Sequence, residues 1–451
     1  MEKRGNFAGK LSAVLVAAGS AVGLGNIWRF PSLAADNGGG AFLVIYLLCV
    51  LLLGVPLIWA EFSVGRSTQL GAVGAYRKLN KHWGFIGYFG VLAAFLLLGF
   101  YYVVSGWTLE YFVESVNGNL SNYSTPEQYR AAFENFKTAT WKPLLFAWAF
   151  ILITHFVIAQ GVQKGIEKFS NILMPLLFVI LLVMAIHSVL MPGSGEGLKF
   201  FLKPDFSAIS GRTVLMAMGQ AFFSLSIGMG CMVTYASYFN RDTNLKATGL
   251  QVTMLDTLVA FTAGIIIFPA AFSVGIFNAG EAPMAGPELI FITLPAIFNS
   301  LPLSMLWSAI FFLLIIVAAL TSTISIHEVV AAYLNEEWQI KRRWANWIST
   351  VGMFVVATLA SLSLGVLNDC RIFGLTFFDL FDYVTANLLL PVGGLCTSIF
   401  VGWVMEKAFL DRELTNEGRL SGKIVPVVRF MLRWICPLIV LAIFLDSLGI
   451  I

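Results

Sequence analysis

The sequence predicts an all-α, polytopic membrane protein made of two five-helix units inserted in opposite orientations, with one further helix after them. Three observations predict it. The chain is 58% hydrophobic and only 12% charged, where an ordinary soluble domain carries roughly 25% charged residues. Eleven segments approach the roughly 20 apolar residues that a bilayer-crossing helix needs. A short glycine motif in the first of them recurs in the sixth: "SAVGLGN" at 20–26 and "LSIGMGC" at 225–231 each place a small residue and a β-branched one ahead of Gly-x-Gly. Five spans separate the two copies, and five is odd, so the units that carry them lie inverted with respect to one another.

In chain order the segments run over roughly 11–36, 41–65, 84–113, 143–160, 168–190, 212–238, 247–277, 302–334, 344–364, 376–405 and 424–448. Alternating the connecting loops between the two sides collects eighteen Lys and Arg on the N-terminal side, among them Arg66, Arg77, Lys164, Lys341 and Arg412, against seven on the other. The positive-inside rule then predicts a cytoplasmic N-terminus in a multi-pass protein; the inner (cytoplasmic) membrane of the cell is the expected location. The longest polar loop, 114–142, faces outward and carries a short helix. "AGPELIFITLPAIFNS" at 285–300 is too short and too Pro-punctuated to cross, and reads as a helical hairpin over the outer surface. The expected organisation is a core over 1–405, with a first repeat at about 11–190 and a second at about 212–405, then a cytoplasmic loop and eleventh helix over 406–451.

Other function classes recede on the same composition. A net charge of +3 with dispersed basic residues argues against nucleic acid as a partner, and five cysteines without paired spacing suggest neither a disulfide framework nor a zinc motif. The N-terminus "MEKRGNFAGK" has no cleavage signature, so the first helix is expected to remain. His155, His187 and the His327–Glu328 pair lie on different spans without metal-ligand spacing, so an embedded enzyme is not expected.

The repeated glycines carry the functional signal. Glycine costs a helix interior about 1 kcal/mol against alanine. Unwound backbone within a membrane is tolerated only inside protein or along a cavity. A single glycine pair is explained first by close helix packing; glycine-interrupted segments at matching positions in two halves, with Asn26 and Arg29 one turn on, point instead to a substrate site near the midplane.

The stretches "GSAVGLGNIWRFP", "NGGGAFLVIYLL", "GVPLIWAEFSVGR", "GQAFFSLSIGMG", "TYASY", "FITLPAIF" and "ALTSTISI" together resemble the neurotransmitter:sodium symporter family, and within it the bacterial amino acid transporters of the LeuT type. The resemblance runs from about residue 4 to about residue 405 and implies a 5+5 inverted repeat whose first and sixth helices are broken. It implies sodium-coupled uptake of an amino acid by alternating access, with two sodium ions. One ion would be held by the Ala21 carbonyl, Asn26, Ser224 and Asp256, the other by the carbonyls of Gly19, Val22 and Ala318 with the hydroxyls of Thr321 and Ser322. All-oxygen ligation suits a hard cation. The substrate carboxylate would meet the Leu24 and Gly25 N–H groups and the Tyr102 hydroxyl. The ammonium would meet the Ala21 and Phe223 carbonyls and Ser226. Leu98, Tyr102, Phe223, Met229, Ser322 and Ile326 would line the side-chain compartment.

Arg29 with Asp382, and Arg4 with Glu336, would act as outer and inner gates; solvated interfacial charges are the alternative reading of these four. Glu61 would accept N–H groups freed by the sixth break, and Gly165 to Pro175 would let the inner end of the fifth helix unwind. The chain departs from the family pattern at several places: Phe7 where tryptophan is usual, Glu336 where aspartate is, Asp256 where many members have asparagine, Met229 where an aromatic ring stands, and an end after eleven spans rather than twelve. Met229 favours a bulky aliphatic or aromatic substrate, since methionine re-packs readily. Asp256, with Ala260 four residues on, implies chloride independence; a capped, solvated aspartate at the start of the seventh span is the alternative. The same residues would also serve a transport-inactive amino acid sensor. The oligomeric state is left open.

Overall fold

The computed structural model describes residues 7–273, 289–299 and 301–450. Helices coincide with every expected segment. Nine unbroken apolar helices are present among the described residues: Gly40–Thr68, Lys81–Val116, Lys142–Ala159, Val162–Val189, Leu245–Ser273, Ser304–Glu337, Arg342–Leu362, Phe377–Val404 and Val425–Ser447. They are the second to fifth and seventh to eleventh spans. The first span is a bent pair, Lys10–Ala21 and Gly25–Asp36, with 58° between its halves. The sixth is more fragmented, Gly211–Ser224 and Cys231–Ala236 with six non-helical residues between them.

Burial sorts the helices into a centre and a rim. The best apolar window of the eighth helix is 78% buried inside the protein and that of the third 72%, against 28% for the eleventh. The third and eighth are the most enclosed and pack on one another, the broken spans pack mainly on the second, seventh and eighth helices, and the eleventh sits outside the ten-helix core. Leu51, Leu182 and Leu438 on the outward faces are exposed, as apolar residues toward lipid are.

With no hydrophobic drive between helices in lipid, small residues set the close approaches. A Cβ on Gly65 would lie 2.1 Å from the Val233 carbonyl oxygen, so the second helix meets the inner half of the sixth backbone to backbone. At its inner end the second helix also buries Arg66, whose guanidinium bonds Glu413 Oε2 at 2.8 Å, the Thr243 carbonyl and Asn416 Oδ1. That arginine ties the loop helix Lys407–Thr415 to the rest of the inner face.

On the opposite side, the 114–142 loop folds into Pro126–Thr138, begun by a capping box between Thr125 and Gln128. Its Phe133 stacks on Phe291 at 5.2 Å. Phe291 belongs to the expected outer hairpin, of which 289–299 form a turn and the short helix Leu294–Asn299; 285–288 and Ser300 lie outside the described residues.

Gly65→Ala is expected to destabilise the protein by about 1–3 kcal/mol through overpacking, read as a lower thermal unfolding midpoint in detergent. Gly9→Ala, at a position with nothing within 4 Å of the added carbon, should leave the midpoint unchanged.

Candidate functional site

Each broken span stops for a local reason. The first helix ends at Ala21; Val22 turns to extended backbone (ψ 118°) while its N–H still bonds the Ala18 carbonyl. Gly23 follows because a Cβ there would lie 2.6 Å from Ser322 Oγ and 2.9 Å from Tyr101 Oη. In the sixth span Gly228 and Gly230 take φ of 84° and 75°, and Ser226 takes φ 54°, a left-handed conformation uncommon outside glycine.

The backbone groups released by these breaks are met by side chains, most of them from other helices. Gly228 N–H donates to Glu61 Oε1 at 2.8 Å. Leu24 N–H donates to Tyr101 Oη at 3.2 Å, and Gly23 N–H to Asn26 Oδ1 at 2.9 Å. The Val22 carbonyl accepts from Ser322 Oγ at 2.8 Å, the Ser20 carbonyl from Ser226 Oγ at 3.1 Å and the Gly25 carbonyl from Gln220 Nε2 at 3.0 Å.

Between the two breaks lies a small cavity of about 30 Å³. Ala21, Leu24, Gly25, Phe223, Ser224, Ser226, Met229, Ser322 and Ile326 line it, with Ser20 and Gly23. From the third helix the lining residues are Leu97 and Tyr101, which corrects the expectation of Leu98 and Tyr102. One residue is about 100° of helical rotation, so Leu98 and Tyr102 point away. Both are fully buried in packing, and the Tyr102 hydroxyl bonds His327 Nδ1 at 2.8 Å instead. Among the described residues, none with an ionised side chain lines the cavity.

Beside it, Asp256 is fully buried in the interior of the seventh helix, not at a solvated helix start. Asn26 Nδ2 lies 2.7 Å from its Oδ1 and Ser224 Oγ 2.9 Å from its Oδ2. Among the described residues no lysine or arginine pairs with it. A buried carboxylate with only neutral partners is costly, and in a membrane it marks a functional site by default. Asn26, Ser224 and Asp256 offer oxygen atoms only a side-chain turn apart, a donor set that fits a hard cation; which way the Asn26 amide faces is set by the network around it.

A second oxygen cluster joins the first and eighth helices. Ser322 Oγ meets the Val22 carbonyl, Thr321 Oγ1 lies 2.9 Å from the Ala318 carbonyl, and a Cβ on Gly19 would sit 3.3 Å from Thr321 Cβ. Met174 of the fifth helix closes behind Gly19. No group of three or more His, Cys, Asp or Glu that could hold a metal occurs among the described residues.

Above the cavity, the Arg29 guanidinium stands 4.4 Å from the centroid of the Phe223 ring. No direct Arg29–Asp382 bridge within 4 Å is formed, but the two charges remain electrostatically coupled, with the guanidinium over the ring face. Asp382 lies exposed in the first turns of the tenth helix. Below, Arg4 lies outside the described residues, and Glu336 Oε2 accepts from Gly71 N–H at 2.7 Å. Phe7 is buried against the rings of Tyr235, Tyr238 and Phe239, and its N–H bonds the Tyr238 carbonyl. The stretch from Gly165 to Pro175 is wound throughout, first as the wide turn Val162–Glu167 and then within Lys168–Val189. Glu167 accepts the Ala8 N–H at 3.1 Å, fastening the start of the chain to the fifth helix.

Leu97, Tyr101 and Gln220 are site residues that the sequence does not single out. Tyr101 was hidden by its neighbour in "GFYYVV", where nothing local separates the two rings. Gln220 stood in the quoted "GQAFF"; a fully buried amide in an apolar helix was the available signal.

The model of the sodium:neurotransmitter symporter family matches residues 4–140 and 130–450. The chain is 39% identical over 451 residues to an uncharacterized sodium-dependent transporter, YhdH, of Bacillus subtilis, covering 100% of this chain and 99% of that protein. It is 28% identical to the human sodium- and chloride-dependent GABA transporter 2, covering 99% of this chain and 80% of that one. Its structure is similar to the crystal structure of MhsT in complex with L-phenylalanine, with a TM-score of 0.89 at 39% identity, covering 99% of this chain and 100% of that chain.

Glu61→Leu leaves the Gly228 N–H buried without an acceptor and should cost about 1–3 kcal/mol, seen as a drop in thermal midpoint. Glu61→Gln keeps an acceptor oxygen and should recover most of the loss in the same measurement.

Proposed function

The chain belongs to the sodium:neurotransmitter symporter family and is a sodium-dependent transporter; from that premise we propose that it carries a hydrophobic or aromatic L-amino acid into the cell together with sodium, independently of chloride. The observation that carries the reading is the pairing of a buried cavity free of ionised side chains with a buried, uncompensated Asp256 at its edge. A zwitterion fits such a cavity only if the backbone meets its charges. The substrate carboxylate would take the Leu24 and Gly25 N–H groups, at a helix start where the dipole favours an anion, and the Tyr101 hydroxyl. The ammonium would take the Ala21 and Phe223 carbonyls and the Ser226 hydroxyl. An uncharged side chain would then lie among Leu97, Phe223, Met229 and Ile326, and that MhsT was solved with L-phenylalanine supports this class.

Sodium would be bound and carried at two places: one by Ala21, Asn26, Ser224 and Asp256, one by Gly19, Val22, Ala318, Thr321 and Ser322. The substrate carboxylate would complete the first shell. Each ligand then raises the affinity of the other by the same factor, which is the thermodynamic content of coupling. The fixed charge of Asp256 supplies the negative counterpart that a chloride ion would otherwise bring. Arg29 over Phe223 closes the cavity outward, and the buried Phe7 segment, with Glu167 and Glu336, closes it toward a cytoplasmic N-terminus. Release inward would require Phe7 to leave its ring of aromatics and the fifth helix to loosen at Gly165.

Uptake of a labelled amino acid panel into proteoliposomes tests this reading. Accumulation of phenylalanine, leucine or tryptophan driven by an inward sodium gradient, absent with choline and unchanged when gluconate replaces chloride, is expected. Sodium-dependent binding without accumulation would make the protein a sensor instead. In the same assay Tyr101→Phe should raise KM by roughly 10- to 100-fold, the worth of a hydrogen bond to a charged group. Asp256→Ala should weaken half-saturation by sodium by about tenfold or more.

A further inference from the structure

Behind the cavity, a buried chain of hydrogen bonds crosses four helices. The Tyr102 hydroxyl of the third meets His327 Nδ1 of the eighth at 2.8 Å, and His327 Nε2 meets Ser349 Oγ of the ninth at 2.9 Å. Thr350 Oγ1, next along the ninth, lies 2.8 Å from His155 Nδ1 of the fourth. Thr154 and Thr323 join the fourth helix back to the eighth through their hydroxyls at 3.0 Å. Every one of these residues is buried, Tyr102 and Thr350 completely.

The Ser349 and Thr350 hydroxyls lie 2.9 and 2.7 Å from the Asn346 carbonyl, and Thr154 is a second partner of the Tyr102 hydroxyl. Which ring nitrogen carries hydrogen is an assignment made from this network. With both hydroxyl hydrogens on the Asn346 carbonyl, Ser349 and Thr350 accept from the imidazoles, His327 Nε2 and His155 Nδ1 carry hydrogen, and the bare His327 Nδ1 accepts from the Tyr102 hydroxyl. The one carboxylate nearby in sequence, Glu328, is engaged elsewhere by Arg342 and Tyr238.

Position gives this bond its consequence. Tyr102 directly follows Tyr101, and His327 directly follows Ile326; Tyr101 and Ile326 both line the cavity. Turning the third helix far enough to break the Tyr102–His327 bond would carry the Tyr101 hydroxyl off the Leu24 N–H. We propose that His327 is a positioning residue for substrate recognition: a neutral, Nε2-protonated imidazole whose Nδ1 accepts the Tyr102 hydroxyl, fixing the rotation of the third helix against the eighth and with it the place of the Tyr101 hydroxyl. The assignment to recognition rests on the transport reading above.

The test uses the full-length protein in proteoliposomes, with labelled L-phenylalanine as probe. Tyr102→Phe and His327→Leu should each raise KM about tenfold and change the maximal rate and sodium half-saturation by less than about twofold. The double variant should be no worse than either single one, as coupled partners require. His327→Asn, which sets an amide oxygen near the place of Nδ1, should bring KM back to within about threefold of the unaltered protein; His327→Gln, which restores only the Nε2 side, should not. Independently of transport, 15N NMR of histidine-labelled protein should show His327 neutral and protonated on Nε2, with an Nδ1 resonance that moves in Tyr102→Phe. Additive effects, an unchanged KM in both single variants while the unaltered protein transports, or a His327 protonated on Nδ1 would each overturn the proposal. Should the unaltered protein accumulate nothing, the transport reading fails instead, and the NMR tautomer alone decides the hydrogen-bond assignment.

Discussion

A helix that stops halfway across a membrane exposes N–H and C=O groups where no water can satisfy them, and every such group must find a partner inside the protein. In this chain the first and sixth spans both stop there, and the partners come from nearly every neighbour. The second helix sends Glu61 to Gly228, the third sends Tyr101 to Leu24, the outer half of the sixth sends Gln220 to Gly25, and the eighth sends Ser322 to Val22. Each bond draws a separate helix toward one point. The arrangement of the core is thus organised around the two breaks, and the cavity is the space that remains after those bonds are made.

The two carboxylates nearest the breaks show how similar burial serves different ends. Glu61 faces a backbone N–H and replaces the hydrogen bond that an unbroken helix would have made. Asp256 faces Asn26 and Ser224, side chains that can themselves offer oxygen to an ion, and the Tyr46 hydroxyl. The first completes the fold; the second has no cationic partner among the described residues. Arg29 is not that partner, since it lies over the Phe223 ring. In the proposed mechanism a cation arriving with the substrate would meet both Asp256 and the substrate carboxylate in one place.

Much of this was legible in the sequence because its signals were redundant. Hydropathy located the spans, and the echo of "SAVGLGN" in "LSIGMGC" located both breaks before any helix was placed. What failed was facing and rotamer. The third helix is apolar on all sides, so no periodicity tells which of two adjacent tyrosines looks inward, and a motif transfer that slips by one residue in "LLLGFYYVV" misplaces Leu97 and Tyr101 together. The outer pair was legible only in part: Arg29 and Asp382 are electrostatically coupled, but sequence spacing does not reveal that the guanidinium lies over the Phe223 ring. His327, read singly, was one of several scattered histidines, and its meaning came only from the four helices that meet around it.

The central claim is that a cation and an amino acid share the space between the two breaks and complete each other's coordination. Equilibrium binding of radioactive sodium to purified protein, with and without a saturating concentration of the transported amino acid, addresses it most directly when paired with amino acid binding at low and high sodium. The account predicts that the amino acid raises sodium affinity by the same factor by which sodium raises amino acid affinity, and that Asp256→Ala abolishes that factor. Sodium binding indifferent to the amino acid would contradict it.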